Sequence, residues 1–228
     1  MDPSSRQNFN YFRVRILIIG RANAGKTTIL QRICDTRENP EIYNSTGEKI
    51  DPAVVIGSIR RGEHDIENGM VFRSNPGFIF HDSCGFEAGS ESEFDRVKAF
   101  IADHSQRTSL KDQIHAIWYC IPMDDKSRCF TQAEVNFFSQ CDTGSIPVIV
   151  LFTKFDALYY VEFERLRRNG VSRKDARELA PKLAEESFAN GPQLKFLYNA
   201  KEIGRPPKCH ICLFGTLVGH QIVIHDEY

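Results

Sequence analysis

The chain has 228 residues, 41% hydrophobic and 26% charged, with a formal net charge of −1 at pH 7. That length suits one α/β domain with a sizeable core, and the near-neutral charge supplies no overall reason to expect nucleic acid or an anionic membrane as partner. No apolar run approaches the roughly 20 residues of a membrane-spanning helix, and the 7 cysteines are scattered and odd in number, as expected of reduced thiols in a cytoplasmic protein.

Residues 1–12 read as a flexible tail; Met1–Asn10 is polar and has no apolar secretion core. Arg13–Ile19 is β-branched and becomes wholly apolar, the pattern of a central strand buried on both faces. Lys26–Cys34 has helical spacing, with Ile29, Leu30 and Ile33 on one side. Thr36–Arg61, weakly periodic and containing Pro, Gly and Asn, reads as a long loop. Met70–Arg73 and Phe78–His81 read as strands joined by a turn at Asn75-Pro76-Gly77. Glu93–His104 and Thr131–Gln140 are amphipathic, and between them Ile114–Ile121 is a buried strand. Pro147–Phe152 is the next strand, followed by charged helices at Leu158–Arg168 and Arg173–Ala189 broken at Asn169-Gly170. Cys209–Phe214 closes the series as a strand. Apolar strands alternating with helices predict a mostly parallel sheet covered on both faces, whose ligands lie at the carboxyl ends of the strands.

Three strings fall at those ends. The first, "LIIGRANAGKTT", fits G-x-x-x-x-G-K-[ST] through Gly20, Gly25, Lys26 and Thr27. Such a loop turns its backbone N–H groups inward as an anion nest ahead of a helix N-terminus. Gly20, Arg21, Ala22, Asn23, Ala24, Gly25, Lys26, Thr27 and Thr28 are therefore the candidate phosphate contacts. Lys26 suits the β- and γ-phosphates, and the Thr27 hydroxyl suits Mg²⁺. The second, "FIFHDSCG", ends a strand with Asp82, a second candidate metal residue, and Gly85, whose N–H is free to approach a γ-phosphate. The third, "IVLFTKFD", places Thr153, Lys154 and Asp156 after a buried strand. One ionised carboxylate accepts from both N1–H and N2–H₂ of guanine, a donor pair adenine lacks. The Lys154 stem suits the purine face.

In this order the strings resemble the G domain of Ras-like GTPases within the P-loop NTPases. More narrowly, "ENPEIYNSTGEKIDP", "HDIENGMVFRSNPGFIFHDS", "HAIWYCIPMDD" and "GVSRKDARELAP" are similar to fungal G-domain proteins related to Era-, septin- and AIG-type GTPases, from about Arg13 to Leu213. The resemblance implies a three-layer αβα fold with a six-stranded, mostly parallel sheet carrying one antiparallel strand. It implies a G domain over 13–214, and the tail over 215–228 is atypical of the family. Its implied ligands are GTP or GDP with Mg²⁺, and its implied function is a molecular switch that hydrolyses GTP. An effector or activating protein, and a homodimer across the nucleotide face, are the partners it suggests.

The chain also departs from the pattern. Where Ras-like enzymes place a water-orienting glutamine, it has Phe86, which favours slow hydrolysis or a scaffold that binds nucleotide without turnover. An ATP-using phosphotransferase conflicts with Asp156. Asn23 either contacts a bridging phosphate oxygen or caps the turn. Thr46, and less so Ser58, are candidates to sense the γ-phosphate. After the last strand, Gly215, Gly219 and "IVI" favour an extended segment over the family's closing helix. Cys209 and Cys212 fall on opposite strand faces, against a shared metal. The basic stretch Arg165–Arg177 reads as a solvated helical pair or a contact for acidic lipid or protein. Trp118 and Tyr119 read as core.

Overall fold

The computed structural model describes residues 12–51, 65–83, 91–124, 130–199, 201, 203–215 and 223–225. In chain order the first half contains β1 (Val14–Gly20), α1 (Lys26–Ile33), β2 (Glu41–Tyr43), β3 (Lys49–Ile50), β4 (Gly69–Phe72), β5 (Asn75–Asp82) and α2 (Glu91–Gln106). A 3₁₀ turn at Leu110–Asp112 leads to β6 (Ala116–Pro122), α3 (Gln132–Gln140), β7 (Val148–Thr153) and α4 (Asp156–Arg168). Then follow α5 (Arg173–Ala189), α6 (Pro192–Leu197), β8 (Cys209–Cys212) and β9 (Val223–His225).

The wholly apolar run does lie at the centre. β1 is flanked by parallel partners on both sides, with Ile16 opposite Phe80 of β5 and opposite Ala116 of β6. Burial on both faces removes any reason for polar residues to alternate along it, and its last five residues are buried. The sheet order is β3-β2-β4-β5-β1-β6-β7-β8-β9. From β5 to β8 all pairings are parallel, and β4 is antiparallel to β5. These six strands are the mostly parallel sheet with one antiparallel strand that the resemblance implies.

The sheet extends past those six at both edges. Thr36–Arg61, expected as a loop, carries β2 and β3, which pair antiparallel with each other while β2 pairs with β4. Two- and three-residue strands are too short for a period of two to show in sequence. Glu41 holds them instead: its carboxylate accepts from Lys49 at 2.7 Å, Arg73 at 2.7 Å and Tyr43 at 2.8 Å. Those donors, Lys49 first, pull its pKa down to about 2. The hairpin turn also moves. It falls at Arg73-Ser74, and Asn75, Pro76 and Gly77 belong to β5. β1 pairs with β5 only from Phe78 onward, so Pro76 has no β1 neighbour that needs its missing N–H. At the other edge β9 pairs antiparallel with β8, the extended ending expected of the tail.

Two apolar clusters sandwich the sheet. Leu17, Ile19, Ile117, Tyr119, Val150 and Phe152 meet α2, α3, α5 and α6 through residues such as Phe100, Phe137, Phe188 and Leu197. On the opposite face Ile16, Ile18, Phe80, Cys120 and Leu151 meet Ile29 and Leu30 of α1, and among the described residues every helical member of that cluster comes from α1. Beside it Val14, Phe78, Trp118, Ile149 and Ile211 remain half-buried. Among the described residues no closing helix follows β8 to cover that row. Cys212 joins the first cluster and Ile211 the second, the alternation expected along β8. The charged pair α4 and α5 packs through Leu166, Ala176 and Ala180.

Candidate functional site

Because β5, β1, β6, β7 and β8 run parallel, their carboxyl ends share one edge. The chain leaves β1 at Gly20 with φ +146°, and a Cβ there would lie 2.3 Å from the Cys120 carbonyl oxygen of β6. Only glycine fits that approach. The loop then reverses through Asn23 at φ +58° and Gly25 at φ +81°, so Asn23 supplies a left-handed turn residue. Ala24 is 1% exposed and anchors the loop in the second cluster, while its N–H donates to the Arg21 carbonyl at 3.2 Å. Ala22, Asn23, Thr27 and Thr28 form the exposed rim. α1 starts from Gly25 with no side-chain cap and no acidic residue in its first turn. Its positive end is left to an external anion.

Lys26 lies across this loop. Its Nζ donates to the carbonyls of Gly20 at 3.2 Å and Arg21 at 3.3 Å and sits 3.9 Å from Asp82 Oδ1. Asp82 ends β5, and its Oδ1 is buried without a hydrogen-bond partner. Burial pushes its pKa up to about 6, against the pull of Lys26. The buried, underbonded Asp82 oxygen at the end of β5 and the exposed Thr27 hydroxyl in the first turn of α1 are both hard oxygen donors, so their chemistry fits Mg²⁺.

Arg21 has a different role from the one its place in the motif suggests. Its backbone belongs to the loop, but its guanidinium turns inward and donates to Glu134 on α3, Nε to Oε1 and Nη2 to Oε2, both at 2.7 Å. Arg21 and Glu134 are 5% and 0% exposed. Glu134 looks like an ordinary helix glutamate in sequence, and only its place three residues after Thr131 signals a capping box.

The Thr153–Asp156 string follows β7. Thr153 is buried with an unpartnered Oγ1, and Lys154 takes φ +54° to swing the chain into α4. Lys154 Nζ binds Asp124 Oδ2 at 2.7 Å, tying the loop after β6 to the loop after β7. Asp156 is the first residue of α4, two residues ahead of the expected helix start. Its Oδ1 accepts the Gly215 N–H at 2.6 Å. The segment after β8 is clamped over this point: Leu213 O accepts from Phe155 N–H, and Arg32 of α1 donates to Phe214 O and Gly215 O, each at 3.1 Å. Arg32 carries no motif, and Gly215 is legible in sequence only as part of an extended ending. They link α1, which follows the phosphate loop, to Asp156.

Thr46 is not brought to this edge region. It lies in the β2–β3 turn, its hydroxyl donates to Asn44 Oδ1 at 2.7 Å, and β4 and β5 separate β2 from β1. Gly85, Phe86 and Ser58 lie outside the described residues, as do residues 1–11.

A family model described as 50S ribosome-binding GTPase matches residues 15–154. The chain belongs to this GTPase family. The matched span of the GTPase takes in Gly20–Thr28, Asp82, Thr153 and Lys154, and membership implies a guanine nucleotide as ligand. No curated protein matches the chain. Among the described residues no helix is long and apolar enough to cross a membrane.

Proposed function

We propose that this GTPase binds GTP or GDP with Mg²⁺ and works as a cytoplasmic switch whose intrinsic hydrolysis is slow. The observation that carries the reading is the convergence, at one sheet edge, of a lysine folded on its own loop carbonyls, a buried underbonded carboxylate and a carboxylate at the head of α4. A nucleotide's phosphates would draw the Lys26 ammonium from Gly20 O and Arg21 O onto phosphate oxygens, while N–H groups of the loop and of α1 bind the remainder. Thr27 and Asp82 would hold Mg²⁺, which neutralises charge on the β- and γ-phosphates when bound. Asp156, aimed by the Gly215 N–H, would accept from the guanine edge.

Phe86 supports slow turnover, since a phenyl ring has no group to orient the attacking water. The same residue supports the second reading, a scaffold that keeps nucleotide for stability. Ribosome binding stays with the family's description: a net charge of −1 gives the chain as a whole no electrostatic surplus toward RNA. The effector and a dimer across the nucleotide face remain proposals of the resemblance. Native mass measurement of the purified protein is expected to show one guanine nucleotide per chain, and single-turnover phosphate release then separates switch from scaffold. Effective displacement of GDP by ATP would defeat the base-reading assignment.

A further inference from the structure

A cavity of about 450 Å³ opens on the α2 face of the outer sheet, lined by Arg13, Arg15, Arg107 and His104 together with Glu67 and Asp112. It shares no residue with the phosphate loop, Asp82 or the Thr153–Asp156 string. β5 and β4 supply its floor, and the last turn of α2 supplies one wall.

Two of the three arginines enter it without a carboxylate in ion-pair contact. Arg15 Nε donates to the Lys111 carbonyl at 2.8 Å and its Nη1 meets His81 Nε2 at 3.1 Å. A guanidinium only donates, so His81 Nε2 is the acceptor, and its Nδ1–H faces the Ile66 carbonyl at 2.9 Å. Both acceptors of Arg15 are therefore neutral. Arg107 binds Asp103 Oδ2 through Nε and Nη2, leaving Nη1. Arg13 has no hydrogen bond or ion pair among the described residues, and neither Glu67 nor Asp112 has an ion-pair partner there. Arg107 is thus paired with Asp103, while Arg13, exposed, and Arg15, half-buried, line the recess with Glu67 and Asp112 without forming ion pairs with them.

We propose that this cavity is a second ligand site, for a small soluble phosphate ester carrying hydroxyl groups. The phosphate takes charge-assisted bonds from Arg13, Arg107 and the remaining Nη2 of Arg15. The hydroxyls donate to Glu67 and Asp112, which gives the two carboxylates beside the arginines a role. The volume lies within the range of small-molecule sites.

Calorimetry on the full chain saturated with GDP and Mg²⁺, and in parallel on Lys26→Ala, keeps the phosphate loop from supplying the signal. Inorganic phosphate and glycerol 3-phosphate are expected to bind saturably in both, the ester more tightly. The double variant Arg13→Gln/Arg107→Gln should weaken both probes about tenfold with GDP affinity unchanged, while Arg165→Gln/Arg168→Gln, on α4, should bind as the unmodified chain does. Phosphatidylcholine vesicles containing phosphatidic acid present the same monoester on a membrane. Binding to those vesicles alone, no saturable binding of either soluble probe, loss of binding in Lys26→Ala, or equal affinity in the Arg13/Arg107 variant would each overturn the proposal.

Discussion

Arg21 of the phosphate loop and Glu134 of α3 are joined by two parallel hydrogen bonds of 2.7 Å. The same Glu134 accepts the Thr131 N–H at 2.7 Å, so one carboxylate both caps α3 and fastens the loop. The loop's shape therefore depends on a helix more than a hundred residues away in the chain.

Removing one partner leaves a buried charge alone. Glu134→Ala is expected to cost roughly 3–5 kcal/mol in urea unfolding and to weaken GDP binding. The double variant Arg21→Met/Glu134→Met should recover much of that stability, because no charge is then stranded. Equal instability of the single and double variants would show that the pair is not the cause.

Asp156→Asn exchanges an acceptor for a donor and should move preference from guanine toward xanthine nucleotides. Losing two charge-assisted bonds predicts a fall in GDP affinity of at least about a hundredfold. Competition between GDP and XDP reads this directly, and unchanged guanine affinity refutes the assignment.

Among the described residues Arg32 reaches the Asp156 side through the carbonyls of Phe214 and Gly215. Arg32→Ala should free that segment and speed GDP release by roughly threefold to tenfold, while leaving the Mg²⁺ dependence of binding unchanged. Stopped-flow release of a fluorescent GDP analogue is the measurement. A rate equal to that of the unmodified chain would mean the clamp does not hold nucleotide.

His81 and Asp82 titrate in opposition. Burial brings His81 down from 6.5 to about 4, so between those values the unfolded chain holds a proton that the folded chain lacks. That contribution to stability is present above pH 6.5 and is lost as pH falls to about 4. Asp82 rises from 3.8 to about 6, so there the folded chain keeps a proton the unfolded chain has released, and stability grows as pH falls through that window. Nucleotide-free protein should show a shallow profile. Asp82→Asn should uncover a decline of up to about 3 kcal/mol from His81, and identical profiles for the two proteins would contradict the opposed shifts.

The placement of the closing strands shows where local pattern ends. β1, β6 and β7 are buried on both faces, and that condition writes itself into five or more successive residues. β2 and β3 rest on Glu41 meeting Lys49 and Arg73 across strands, a relation with no local period. The turn assigned to Asn75-Pro76-Gly77 follows residue preference alone, whereas the end of β1 pairing decides where proline is tolerated.

The sequence by itself determined the phosphate loop, the parallel core and the identity of Asp82 and Asp156 as edge residues. Backbone turns and burial are short-range demands, and each leaves its mark on neighbouring residues. Tertiary structure alone decided that Arg21 turns away from the loop to Glu134, that Arg32 and Gly215 clamp Asp156, and that Arg13, Arg15 and Arg107 share a cavity. Those contacts join residues distant in the chain, and their free energy depends on separation in space and on dehydration, neither of which has a periodic signature in sequence.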